Sequence, residues 1–375
     1  MRRPTGGQTG DAMAWAYWNP VKIGFGPGQF DKVGEQIGKR PWALVTYGIP
    51  HFRALAAKLA AVAGPPVVTI DNIDTNPDFA QLGDSCRRFG AASPQPAVIV
   101  ALGGGSMIDT AKILSASAGD FARVKRHLTE RAPLDPATFL PIIAVPTTSG
   151  TGSEVTSWAT AWDAAGGAKY SLAHPRLYPE AALLDPALTL AAPRALTLAT
   201  GLDALSHSLE SLWNVNANPV SANHAVNAAR EVIDALPQLL DRLDDIDLRT
   251  RMARASLFAG LAFSNTKTAL AHNISYDITL RHGTAHGIAC SFCLPQVMEW
   301  AIGATPACDE ALKRIFGSDL RQGVQRLTRF MHGVGVGTRP SDHGVGAGEW
   351  DDLVEKAMAG ERGRNFIGRV TVAQT

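Results

Sequence analysis

Two hydrophobic periods divide the chain. WNPVKIGFGPGQF (18–30) alternates apolar and polar positions into a Gly-Pro-Gly turn, which predicts a strand entering a turn. WALVTYG (42–48), PVVTI (66–70) and PAVIVAL (96–102) are apolar runs of strand length. Between them lie the 3.6-period stretches HFRALAAKLAAVAG (51–64) and DFAQLGDSCRRFG (78–90). Strands apolar on both faces, alternating with helices, predict a parallel sheet covered on both sides. PIIAVPTTSGTGSE (141–154) adds a strand ending in a polar loop, and SWATAWD, AKYSLAH and AALLDP follow as short β-like stretches. From about Leu188 helical periodicity takes over, in ALTLATGLDALSHSLESLW, SANHAVNAAREVIDALPQLLDRL, LRTRMARASLFAGLAFS and GIACSFCLPQVMEWAIG. The expected organisation is a Gly- and Thr-rich disordered segment over 1–14, a Rossmann-like α/β domain over 15–187 and an all-α domain over 188–375.

Candidate chemistry sits where the periods break. PAVIVAL runs straight into GGGSMIDTAK (103–112), whose glycines allow close backbone approach to a pyrophosphate at a helix N-terminus. A tight strand-to-helix turn without a ligand is the plainer reading of such a run. The hydroxyls of Thr147, Thr148, Ser149, Thr151 and Ser153 can donate to phosphate or ribose oxygens. In the helical half, Asp203 and His207 are spaced i, i+4 on one helix face, and His272 and His286 lie fourteen residues apart. Asp203 and His207 alone read as a surface pair. Three imidazoles and a carboxylate together make a cage for a divalent first-row metal, Fe(II) or Zn(II).

Composition narrows the class. With 46% hydrophobic and 18% charged residues among 375, and a formal net charge of +1, the chain has ample core and no field favouring nucleic acid or an anionic membrane. No apolar run reaches membrane-spanning length, and the opening residues lack the apolar region of a signal peptide. Four cysteines do not make a disulfide framework; Cys290 and Cys293 read as small buried residues on a helix, and the cytoplasm is the expected compartment. The Arg-rich stretch RGRNFIGRV (362–370) reads as a solvated tail.

GGGSMIDTAK, PTTSGTGSE, HPRLYPEAALLDPALT, TGLDALSHSLE and AH-x(13)-HG, in this order, resemble the iron-containing (group III) alcohol dehydrogenases over roughly residues 17–370. The resemblance implies a dinucleotide-binding α/β domain, a helical domain and an active site between them. It implies Asp203, His207, His272 and His286 as metal ligands, and Gly103, Gly104, Gly105 and Ser106 as the pyrophosphate loop with Asp109 at its helix start. It further implies Thr147, Thr148 and Thr151 beside the nicotinamide, Asn76 near the adenosine half and Lys169 near the ribose. A homodimer or larger homo-oligomer is expected, with neither nucleic acid nor membrane as partner.

Departures from the family pattern carry further expectations. Tyr276 stands where many members place a third histidine, and is a candidate proton-relay substitute. Tyr47 replaces the Asp that accepts from the ribose 2′-hydroxyl in NAD-preferring members, which points to NADPH over NADH. Lys267, Arg281 and His282 flank the histidines, and cations beside a metal call for an anionic partner. The arrangement resembles the phosphonoacetaldehyde reductase branch. The expected reaction is hydride transfer between NAD(P)H and a small anionic aldehyde. The alternatives are another short-chain aldehyde such as sulfoacetaldehyde or succinic semialdehyde, a lyase related to dehydroquinate synthase, or a non-enzymatic metal-stapled protein.

Overall fold

The computed structural model describes residues 14–370; the expectation of disorder over 1–14 thus falls outside it, save for Ala14. The strands are β1 (Lys22–Phe25), β2 (Trp42–Val45), β3 (Val68–Ile70), β4 (Val98–Gly103), β5 (Ile142–Pro146), β6 (Trp158–Asp163), β7 (Ala168–Ala173) and β8 (Ala181–Leu184). Six of them form a wholly parallel sheet in the order β1-β8-β5-β4-β2-β3, while β6 and β7 make a separate antiparallel ribbon. β2, β4, β5 and β8 are buried at every position, as strands with helices on both faces must be. The helices of this half are α1 (Val33–Ile37), α2 (Pro50–Ala63), α3 (Phe79–Gly90), α4 (Gly105–Ser117) and α5 (Phe121–Glu130).

Strand order places a ligand crevice. The chain steps from β2 outward to β3, then returns past β2 to β4 on its other side. Connections therefore diverge at the carboxyl ends of β2 and β4, the switch point at which open α/β sheets leave room for a ligand.

The second half is helical: α6 (Arg194–Leu212), α7 (Pro219–Asp241), α8 (Ile246–Thr266), α9 (Leu270–His282), α10 (His286–Ala289), α11 (Leu294–Ala301), α12 (Pro306–Phe316), α13 (Leu320–Gly333) and α14 (Ala347–Ala359). One apolar core runs through it, with Leu205, Leu209, Val232, Leu236 and Met252 among its buried members. Local chemistry sets several ends. Asn218 and Ser221 form a capping box with Pro219 at the first turn of α7, and Asp245 caps α8. One sequence expectation changes here. GIACSFCLPQVMEWAIG is not one helix: α10 ends at Ala289, and the turn 290–293 precedes α11, so Cys290 and Cys293 are buried turn residues. α8 itself stops where Lys267 takes the left-handed φ of 64°. Among the described residues, no helix is long and apolar enough to cross a membrane.

Candidate active site

Asp203, His207 and Glu210 project from one face of α6 into the molecule, all three buried. His272 stands in the first turn of α9 and His286 opens α10. The Nε2 atoms of His272, His207 and His286 lie 3.4, 3.7 and 3.9 Å from a single atom, Oδ1 of Asp203. Each ring is held by its other nitrogen. Nδ1 of His272 meets Glu210 at 2.6 Å, Nδ1 of His207 meets the Gly150 carbonyl at 3.2 Å, and Nδ1 of His286 meets the Ser275 hydroxyl at 3.5 Å. The Nε2 of His272 is buried without a hydrogen-bond partner. An orphaned buried nitrogen is costly, and donors bound to one tetrahedral ion at about 2.0–2.3 Å lie roughly 3.3–3.8 Å apart. The four side chains therefore fit a divalent metal.

Close approach makes this possible. A Cβ on Gly287 would lie 1.8 Å from the carbonyl oxygen of Ala199, so only glycine lets α10 close on α6 and deliver His286 to Asp203. Glu210, absent from the residues singled out by sequence, does two jobs. Its carboxylate accepts from the backbone N–H groups of Ala269, Ala271 and His272, capping α9, and orients the His272 ring. The available signal was its place on the Asp203–His207 face, three residues past His207. Burial keeps the imidazoles of His207 and His286 toward their neutral, ligating form, pushing His207 down to about 4 and His286 well below the usual range. Burial also opposes charge on Asp203 and Glu210, yet the neighbouring imidazoles hold both carboxyls below their usual range.

Across the cleft, β4 ends at Gly103 and α4 begins at Gly105, with Gly104 as an N-cap that supplies no side-chain acceptor. The first N–H groups of α4 are thus open to an anion. A cavity of about 600 Å³ lies against them, lined by Tyr47, Asn76, Gly104, Gly105, Ser106, Thr147, Thr148 and Thr151, with Asp203 and His286 at its helical wall. The Tyr47 ring packs on the glycine loop and meets Phe52 edge-on at 4.9 Å. Asp71 stands behind Gly48, where Arg88 engages it at 3.3 Å, while burial, and then the Asp109 and Asp74 carboxylates, push the Tyr47 phenol up. Asp109 follows the glycine loop in α4. It sits one turn into α4, and its oxygens accept from the Ser153 hydroxyl at 2.6 Å and the Thr160 N–H at 2.8 Å. Fully buried Lys112 donates to Ser153, Thr156 and the Trp158 carbonyl, so this pair ties α4 to the 153–160 segment.

A second, narrower cavity continues from the cage, bounded by His207, His272, His286, Trp158, Lys169, Tyr276 and Arg362. The Lys169 Nζ lies 4.0 Å from the Tyr276 ring centre and the Arg362 guanidinium 5.2 Å from it. Lys169 is half-buried; burial and then Arg362 push its ammonium down to about 7. Burial pushes the Tyr276 phenol up to about 12, and its hydroxyl has no hydrogen-bond partner among the described residues.

Residues 20–186 match the family model for iron-containing alcohol dehydrogenase, and residues 197–370 match the model for the C-terminal region of that family. The chain belongs to the iron-containing alcohol dehydrogenases. It is an alcohol/aldehyde oxidoreductase. The probable alcohol dehydrogenase EutG of Escherichia coli is 33% identical over 266 residues, covering 69% of this chain and 66% of that protein. The phosphonoacetaldehyde reductase of Streptomyces viridochromogenes is 33% identical over 323 residues, 81% of this chain and 78% of that protein. The crystal structure of sulfoacetaldehyde reductase from Bifidobacterium kashiwanohense in complex with NAD+ superposes with a TM-score of 0.88 at 27% identity, covering 96% of each chain.

In this dehydrogenase three residues expected at the substrate stand elsewhere. Arg281 lies nine positions after His272, on the opposite side of α9. Its side chain is 55% exposed, and it faces Asp277 at 3.6 Å and Glu349 at 3.8 Å. His282 meets the same Glu349 at 2.9 Å. Lys267, at the break after α8, is 62% exposed and 3.9 Å from Glu361; it borders an outer vestibule that Lys169 and Arg362 also line. The cation near the cage that sequence reasoning missed is Arg362. RGRNFIGRV is not a solvated tail: Arg362 hydrogen-bonds the Thr268 hydroxyl, Asn365 donates to the Thr268 carbonyl at 2.9 Å, and Phe366 is buried.

Proposed function

We propose that this dehydrogenase interconverts a small anionic aldehyde and its alcohol, with phosphonoacetaldehyde and 2-hydroxyethylphosphonate as the leading pair and a nicotinamide dinucleotide as hydride carrier. The observation that carries this reading is the pair Lys169 and Arg362. Among the described residues neither cation has a carboxylate within 4.0 Å, yet both face the cavity that contains the cage. Half-buried cations without a counter-charge suit an anionic ligand. The two relatives named above for phosphonoacetaldehyde and sulfoacetaldehyde act, by name, on aldehydes with anionic heads, which supports the same class.

A divalent ion held by Asp203, His207, His272 and His286 would serve as a Lewis acid toward the carbonyl, and the nicotinamide would carry the hydride. The protein's own groups do the rest. Gly104–Ser106 and the open N-terminus of α4 bind the pyrophosphate, while Thr147, Thr148 and Thr151 orient the nicotinamide half. Asn76 borders the adenosine half. Arg362 can grip two oxygens of the head group, a geometry lysine cannot copy, and Lys169 adds a point charge. Tyr276, protonated at neutral pH, donates a hydrogen bond rather than acting as a base. With Tyr47 in place of a carboxylate and Asp71 engaged by Arg88, NADPH is the preferred dinucleotide.

The test is NADPH and NADH oxidation by metal-loaded protein with phosphonoacetaldehyde, sulfoacetaldehyde, succinic semialdehyde and propanal. Arg362→Ala should raise KM for the anionic aldehydes by about 10–150-fold, the equivalent of roughly 1.5–3 kcal/mol, and leave propanal nearly unchanged. Equal losses on charged and neutral aldehydes would remove the anionic-substrate reading while leaving the family assignment in place.

A further inference from the structure

Three cavities follow one another through the molecule. The narrow one at the cage shares Gly105, Ser106, Asp203 and His286 with the nucleotide cavity, and Trp158, Lys169, Tyr276 and Arg362 with an outer vestibule of about 360 Å³. The cage thus has two approaches, one past the glycine loop and one past Tyr276. One wall of the vestibule is β7, whose period of two puts Lys169, Ser171 and Ala173 on the same face. The charged side chains lining the vestibule are Lys169, Lys267 and Arg362, against the carboxylate of Glu361.

Lys267 stands there against its own backbone preference. Its φ of 64° and ψ of 177° fall in a region that is close to glycine-only. The backbone at this point is already fastened: its N–H donates to the Phe263 carbonyl at 2.7 Å, and its carbonyl accepts from Asn214 at 3.2 Å and from the Thr266 hydroxyl at 2.9 Å. A glycine would make the same three bonds without strain. The lysine adds a charge, and that charge meets Glu361 only at 3.9 Å, with the two side chains 62% and 83% exposed. A pair so exposed contributes little to stability, so the charge is left to serve the vestibule. We propose that the vestibule is the entry path of the anionic substrate, with Lys267 capturing the head group at its mouth and Arg362 and Lys169 drawing it past Tyr276 to the cage while the dinucleotide fills the other approach. This rests on the anionic-aldehyde reading and deepens it, assigning Lys267 to association rather than to the bound complex.

Two measurements on metal-loaded, full-length protein test the path. All four native cysteines are buried, so Ser171→Cys supplies an exposed thiol that a pyrene maleimide can label, plugging the vestibule. The thiol should label equally well with NADPH bound. The plugged enzyme should keep its NADPH affinity and lose most of its kcat/KM on phosphonoacetaldehyde and propanal alike, relative to the unlabelled variant. The second measurement reads the charge. Association of 2-hydroxyethylphosphonate with the enzyme–NADPH complex, a pair that cannot react, is followed by stopped-flow fluorescence of the nucleotide. At low salt the association rate constant should fall several-fold in Lys267→Gly and about ten-fold or more in Lys267→Glu, and the differences should shrink in about 0.5 M salt. Because Lys267→Gly relieves the backbone, poor folding would not account for its loss. A plugged enzyme with full turnover, or rate constants unchanged in both Lys267 variants, overturns the entry path. Either result leaves the Arg362→Ala comparison of charged and neutral aldehydes standing, and that comparison alone decides the substrate class.

Discussion

On the α/β side of the cleft, the large cavity meets the backbone at Gly104–Ser106 and the side chains of Thr147, Thr148 and Thr151, beside Tyr47 and Asn76. On the helical side stand the three imidazoles and the carboxylate of the cage, each ring oriented through its second nitrogen by a further partner. One wall works by leaving atoms out, the other by placing them. A pyrophosphate needs close backbone and an open helix end, which any side chain would obstruct. A metal needs lone pairs converging on one point, and those must be locked by a surrounding shell. The two walls should therefore fail differently: the first when atoms are added, the second when charge or hydrogen bonds are removed.

Replacing Glu210 with Gln offers the largest contrast. The variant keeps an oxygen to cap α9 but loses the charge that faces Nδ1 of His272. Metal affinity should fall by about 10–100-fold in chelator competition, with nucleotide affinity unchanged. Unaltered metal retention would mean that the cage does not depend on its supporting carboxylate.

Gly105→Ala probes the opposite wall. Its new Cβ would stand 2.7 Å from Cγ2 and 2.9 Å from Oγ1 of Thr151. Overpacking of this kind costs about 1–3 kcal/mol, so dinucleotide affinity measured by fluorescence titration should drop roughly ten-fold while bound metal stays constant. Adding Thr151→Ala should recover part of the loss. If metal is lost as well, the walls are not separable.

The smallest effect is a pH dependence at the point where the walls meet. Lys169, pushed down to about 7, is charged below that pH and neutral above it. Anion binding that uses its charge is present on the acid side and fades as pH rises through 7. KM for an anionic aldehyde should therefore climb several-fold between about pH 6 and 8 relative to KM for propanal. Lys169→Arg, which stays charged, should flatten that ratio; a ratio already flat in the parent protein would exclude Lys169 from head-group binding.

Local physics was legible in the chain. Continuous apolar runs between helical stretches predicted the parallel sheet, because strands buried on both faces need no alternation. The i, i+4 spacing of Asp203 and His207 named one face of α6, because helix geometry is set within a turn. Gly103–Ser106 after a strand marked the open helix end for the same reason. What failed were inferences that depended on packing between distant segments. Arg281 and His282 are close to His286 in sequence, but the rotation of α9 turns them to Glu349 on α14. Lys267 is carried outward by a left-handed backbone break that no periodicity announces. Arg362 enters the cleft from beyond α14, and Cys290 reaches Asp203 only because the chain turns at 290–293 instead of continuing a helix. A helix face is decided by neighbours a few residues away. Which cation enters a cavity is decided by how helices far apart in sequence settle against one another, and only the tertiary structure carries that information.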